Sequence, residues 1–104
     1  MGDWYILKDG KPEPVDMFTG AQWMEENPHA VRVMARTELP DGAVLSTVFL
    51  CLDHGFPGEG VALFESMWFG GLLDGQQQRY ATREEADLGH QEMLAAYPGS
   101  AEGE

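Results

Sequence analysis

The sequence predicts an α+β fold: an antiparallel β-meander of three to five strands, with a short helix after an N-terminal hairpin and a C-terminal helix packed on one face. Three observations predict it. Val31, Val33 and Ala35 alternate with Arg32, Met34 and Arg36, the period-two pattern of a half-buried strand. Two apolar runs, about 43–54 and 61–69, flank the segment GFPGEG, a Gly/Pro loop suited to a wide hairpin. Thr82 is followed at the third position by Glu85, a capping box that opens the segment TREEADLGHQEMLAAY.

Taken in order, WYILKDGKPEPV reads as a strand, an Asp9-Gly10 turn and an extended return arm, since Asp-Gly accepts the positive φ of a hairpin. Its two prolines cannot donate to a ladder and hold the return arm at an edge. MFTGAQWMEEN is a short helix capped by Asp16 or Thr19, with Phe18, Trp23 and Met24 as its apolar side and Asn27-Pro28 as its stop. AVRVMARTEL is the first meander strand, turned by Pro40-Asp41-Gly42 into the two apolar runs. After GGLLDGQQ an extended piece reaches Tyr80, and the C-terminal helix then runs to Pro98-Gly99. Glu84, Glu85 and Asp87 complement the positive end of that helix dipole. The 104 residues fit a single domain over 1–97, followed by a flexible acidic tail over 98–104.

Eighteen acidic against 6 basic residues give a formal charge of −12. Such a field repels nucleic acid and anionic membranes and favours a basic partner. The single cysteine, Cys51, forms no internal disulfide and no C-x-x-C motif, which suits a reducing cytoplasm. No apolar run approaches the ~20 residues that span a bilayer, and no leader pattern opens the chain, so a cytoplasmic protein is expected. G-x-S-x-G, P-loop and dinucleotide fingerprints are absent from the sequence. The expectation is a protein without cofactor or metal that is not an enzyme.

With the simplest register, residue 38 opposite 43 and 54 opposite 61, side chains sort into two sets. One collects Val31, Val33, Ala35, Val44, Val48, Leu50, Leu52, Leu63, Met67 and Phe69, with Ser46 and Glu65 among them. This face is expected to carry the C-terminal helix through Ala86, Gly89, His90, Met93 and Tyr97, with Glu65 and His90 as a structural polar pair. The other set includes Leu45, Phe49, Phe64 and Trp68, flanked by Arg32 and Arg36. Left partly exposed, those six residues form a partner-binding surface for a basic host protein or for a second copy in a homodimer. The competing arrangement folds the N-terminal hairpin and helix across them as core.

The residues allow two other chemistries. A homo-oligomer holding a small molecule or nucleotide would use Arg32 and Arg36 as its cationic pair. A metal-assisted hydrolase would use Asp53, His54 and His90, but adjacent residues of a strand point to opposite faces and do not chelate one ion together. Cys51, mid-strand among apolar neighbours, reads as structural.

STVFLCLDHGF, LFESMWFGG and RYATREEADLGHQEM together resemble a family of small proteins found in tailed bacteriophages and prophages, with the likeness running from Trp4 to Tyr97. Cys51 stands where that pattern has a small residue, often glycine, and Trp68 where it has a smaller aliphatic. The resemblance implies a viral or mobile-element origin and brings no catalytic residue with it. It implies stoichiometric binding, in which an acidic accessory protein occupies the basic nucleic-acid channel of a host enzyme, including a defence nuclease.

Overall fold

A computed structural model describes residues 3–55 and 60–98. The wide loop expected at GFPGEG and the tail beyond Pro98 fall largely outside the described residues. The predicted α+β architecture is present. An N-terminal hairpin of β1 (Trp4–Lys8) and β2 (Lys11–Val15) leads to helix α1 (Met17–Glu26) and the one-turn helix α2 (His29–Arg32). A four-stranded antiparallel sheet follows in the order β3 (Val33–Glu38), β4 (Val44–Phe49), β5 (Phe64–Phe69) and β6 (Gln77–Tyr80). The 14-residue helix α3 (Arg83–Ala96) closes the fold.

The hairpin turns at Asp9 and Gly10, both with positive φ. Of the two candidate caps for α1, Asp16 serves: its carboxylate accepts the Thr19 amide at 2.8 Å and the Thr19 hydroxyl at 2.9 Å. Trp23 and Met24 pack into the core as expected, whereas Phe18 is 78% exposed on the outer side of the helix. Gly20 lets α1 lie directly on β1, where a Cβ would sit 2.7 Å from Trp4. The first meander strand starts later than its alternation suggests, because 29–32 coil into α2. Arg32 holds that turn, donating to the Asn27 carbonyl and to the Phe49 carbonyl, each at 2.9 Å.

Two register details decide what the sheet does. Glu38 lies opposite Val44, one residue from the simplest pairing, and a bulge between Val33 and Ala35 restores the phase at the start of β3. Regular pairing of β4 with β5 runs from Val44 opposite Phe69 to Phe49 opposite Phe64. It stops there because Cys51 adopts φ 72°, a left-handed conformation that favours glycine. The chain then leaves the four-stranded sheet and joins the hairpin: the Tyr5 amide donates to the Cys51 carbonyl at 2.8 Å, and Leu52 bridges Trp4.

Helix α3 begins at the expected cap, the Thr82 hydroxyl accepting the Glu85 amide at 3.1 Å, while the Glu85 carboxylate reaches one residue further back than in a capping box and accepts the Ala81 amide at 3.1 Å. The predicted stripe is the docking stripe: Ala86, Gly89, His90 and Tyr97 are buried. Its seat is the opposite sheet face from the one expected. α3 and the N-terminal unit cover Leu45, Phe49, Phe64 and Trp68, all at most 1% exposed. Large aromatic rings bury ~150–250 Å² each, far more than the valines of the other face, so covering this side removes more apolar surface from water. Phe49 is flanked by Trp23 and Phe64 with ring centroids at 5.8 and 5.5 Å, and Trp68 meets Tyr97 at 4.5 Å.

Gly89 is the closest approach in that seat, since any Cβ there would run into the Tyr80 ring. Gly89→Ala is expected to lower stability by ~1–3 kcal/mol through overpacking. Leu88→Ala, one residue away on the exposed side of α3, should stay within ~0.5 kcal/mol. Urea unfolding midpoints of the two variants measure the difference, and coincident midpoints would contradict this seat.

Candidate functional site

The residues singled out from sequence as a partner-binding surface are divided by the fold. Leu45, Phe49, Phe64 and Trp68 belong to the protein's own core, so the aromatic face is a correction: it is sealed by α3, the hairpin and α1 rather than open to a partner. Arg32 is committed to two backbone carbonyls. Only Arg36 reaches a free surface, and the one-residue register difference places it on the other face, opposite Ser46. Arg32 and Arg36 therefore do not act as a pair.

Glu65 and His90 are likewise separated. Glu65 lies on the side away from α3, directly opposite Arg79 on β6, and the two form an ion pair at 2.9 Å. His90, 2% exposed, is satisfied by hydroxyls instead. Its Nδ1 lies 2.7 Å from the Thr47 hydroxyl and its Nε2 lies 3.0 Å from the Thr37 hydroxyl, while Thr47 meets the Ser66 hydroxyl at 2.5 Å. The chain Thr37–His90–Thr47–Ser66 crosses the interface of α3 with β3, β4 and β5. Sequence reasoning missed it by leaving the face of Leu45, Phe49, Phe64 and Trp68 partly exposed. The readable signal was hydroxyls at alternate positions on neighbouring strands, which need a polar partner once the face is buried. Among the described residues no carboxylate joins the chain, and bonding His90 at both ring nitrogens specifies how α3 sits.

Asp53 and His54 do not converge either. The Asp53 carboxylate accepts the amides of Gly55 and Ala62, each at 2.8 Å, and closes the exit from the sheet. His54 is exposed. Among the described residues no group of three or more His, Cys, Asp and Glu side chains could hold a metal ion, and no helix is long and apolar enough to cross a membrane. Cys51 is buried, and its thiol donates to the Tyr5 carbonyl at 3.0 Å. Burial raises its pKa against the lowering influence of Arg32, so it stays protonated.

The remaining candidate is the sheet face turned away from α3. Its rows, read across the strands, are Glu38, Val44 and Phe69; Arg36, Ser46, Met67 and Gln77; and Val33, Val48, Glu65 and Arg79. Neither core cluster draws a residue from it. Phe69 is 48% exposed, and Val33, Val44 and Met67 are partly exposed, while Val48 in the third row is buried. At one corner α2 flanks the sheet and shapes an open groove of about 470 Å³ lined by His29, Val33, Arg36, Val44, Ser46 and Phe69, among others.

Burial lowers the His90 pKa below its ordinary 6.5, with Asp87 opposing. The folded protein thus binds fewer protons than the unfolded chain once pH falls below 6.5, and stability declines from there until the lowered value is passed. Hydrogen bonds from Thr19 and Tyr97 respectively lower the pKa of Asp16 and Asp41 from 3.8, so those carboxylates add their own loss only at pH near and below 3.8. Urea unfolding followed between pH 7.5 and 5 should show the decline (roughly 1.4 kcal/mol per pH unit at most for one group), and His90→Gln should flatten it. A slope unchanged by the substitution would remove His90 as its source.

Compared with models of protein families, with curated proteins and with solved structures, the chain matches none.

Proposed function

We propose that this chain is an acidic accessory binding protein of phage or prophage origin that modulates a host protein by stoichiometric association. One observation carries the reading: a four-stranded sheet covered on one side by α3 and the N-terminal unit, with Val44, Met67 and the half-exposed Phe69 on a second side where only Val48 and Ser46 are buried. Apolar side chains collected on a sheet face mark a contact surface better than scattered exposed ones do. The partner binds there, and the net charge of −12 steers the molecule as a whole toward a protein with a basic surface. A nucleic-acid-binding defence protein of the host is the class that such charge fits. A contact between copies of this chain would have to overcome the repulsion between two strongly acidic molecules.

Capture of a basic protein from a bacterial lysate by the immobilised chain tests this reading. Phe69→Asp is expected to weaken capture about tenfold or more, as loss of a central aromatic contact does. Leu88→Asp, on the outer side of α3, should leave capture unchanged. Capture should also weaken as salt screens the charges. Capture that is indifferent both to Phe69→Asp and to salt would overturn the proposal.

A further inference from the structure

We propose that the groove between α2 and the open sheet face binds a small monocarboxylate with a short aliphatic or aromatic body. The groove reverses the charge of the molecule around it. The chain carries 18 acidic and 6 basic residues, yet among the described residues the lining contains Arg36 and His29 and no aspartate or glutamate. Glu38 shares the face two residues further along β3 and lies outside the lining.

Arg36 is also the uncommitted arginine. Arg79 is paired with Glu65, Arg83 with Asp87, and Arg32 with two carbonyls, whereas the Arg36 guanidinium has neither ion pair nor hydrogen bond among the described residues. A planar guanidinium with free N–H groups matches a carboxylate through two parallel hydrogen bonds.

Ser46 gives a second, independent indication. It sits directly opposite Arg36 at the groove floor and is only 8% exposed. Its hydroxyl nevertheless makes no hydrogen bond among the described residues. Every fully sealed side-chain nitrogen or oxygen of the described residues has a partner, so the Ser46 hydroxyl keeps its opening toward the groove. A carboxylate oxygen placed there satisfies Ser46 and Arg36 together. The rest of the lining is apolar: Val33 and Val44 on the strands and the Phe69 ring at the rim accept a hydrocarbon body. The volume of about 470 Å³ falls within the ~300–1,000 Å³ usual for small-ligand sites.

The probe is sodium hexanoate, titrated at constant ionic strength into the ¹⁵N-labelled full chain, with hexan-1-ol and hexylammonium as bodies of equal length and different charge. Hexanoate should shift the amides of Val33, Arg36, Val44, Ser46 and Phe69 saturably. Arg36→Gln should weaken it about tenfold or more, since a charge-assisted pair is lost. Ser46→Ala should weaken it several-fold, and Arg36→Lys should fall between wild type and Arg36→Gln. The dispersion of each variant's own spectrum checks that it is folded. Equal binding of hexan-1-ol or hexylammonium, shifts that do not saturate or centre elsewhere, or an unchanged affinity in Arg36→Gln would each overturn the inference. It is separable from partner docking: hexanoate can saturate the groove of a protein whose capture ignores Phe69→Asp, and partner capture can depend on Phe69 where hexanoate does not bind.

Discussion

The seat of α3 on the sheet is the constraint from which the other features follow. Gly89 removes the side chain that would strike Tyr80, which brings the helix close enough for His90 to reach between Thr37 and Thr47. Further along, Tyr97 stacks on Trp68, and its hydroxyl donates to Asp41 at 2.5 Å while accepting the Leu72 amide at 3.0 Å. A single helix thereby ties together the β3–β4 turn, the loop before β6 and the middle of the sheet. The aromatic contacts supply apolar burial, and the histidine supplies direction. An apolar stripe alone can slide along an apolar sheet, whereas an imidazole bonded at both nitrogens fixes one position.

The N-terminal unit completes the same side by a different device. Cys51 turns the chain out of β4 in a left-handed conformation, and the next residues pair with β1 rather than with β5. This carries the hairpin and α1 over Phe49 and Phe64, beside the area that α3 covers. Arg32 pins the end of α1 and the end of β4 to each other through their carbonyls. A residue that looked like part of a recognition surface is thus a fastening inside the fold, one of few cations in an acidic chain.

Because both covering units occupy one side, the other is left with valines, Met67, Phe69 and a small number of polar groups. The long-range field of the molecule is negative, while the groove beside α2 is locally positive through Arg36. These act on different scales: the net charge governs which macromolecules approach, and an arginine at contact distance governs what a groove of small-ligand size retains.

Much of the fold was legible in the sequence. The helix cap at Thr82, the stripe Ala86, Gly89, His90, Met93 and Tyr97, the Asp9-Gly10 turn and the strands themselves follow from local stereochemistry, which a short window of sequence contains. The alternation of β4 and β5 also sorted their side chains correctly into two sets. Period two, however, separates two faces without saying which one is covered. That choice, and with it the placement of Phe49, Phe64 and Trp68 inside and Phe69 outside, was made by the larger apolar area of the aromatic set and by where α3 and the hairpin could reach. The face taken by Arg36 depended on a one-residue register difference in β3, the partner of Glu65 on the pairing of β5 with β6, and the partners of His90 on where α3 meets β3 and β4. Those arise from contacts between separate elements of the chain, so only the tertiary structure could determine them.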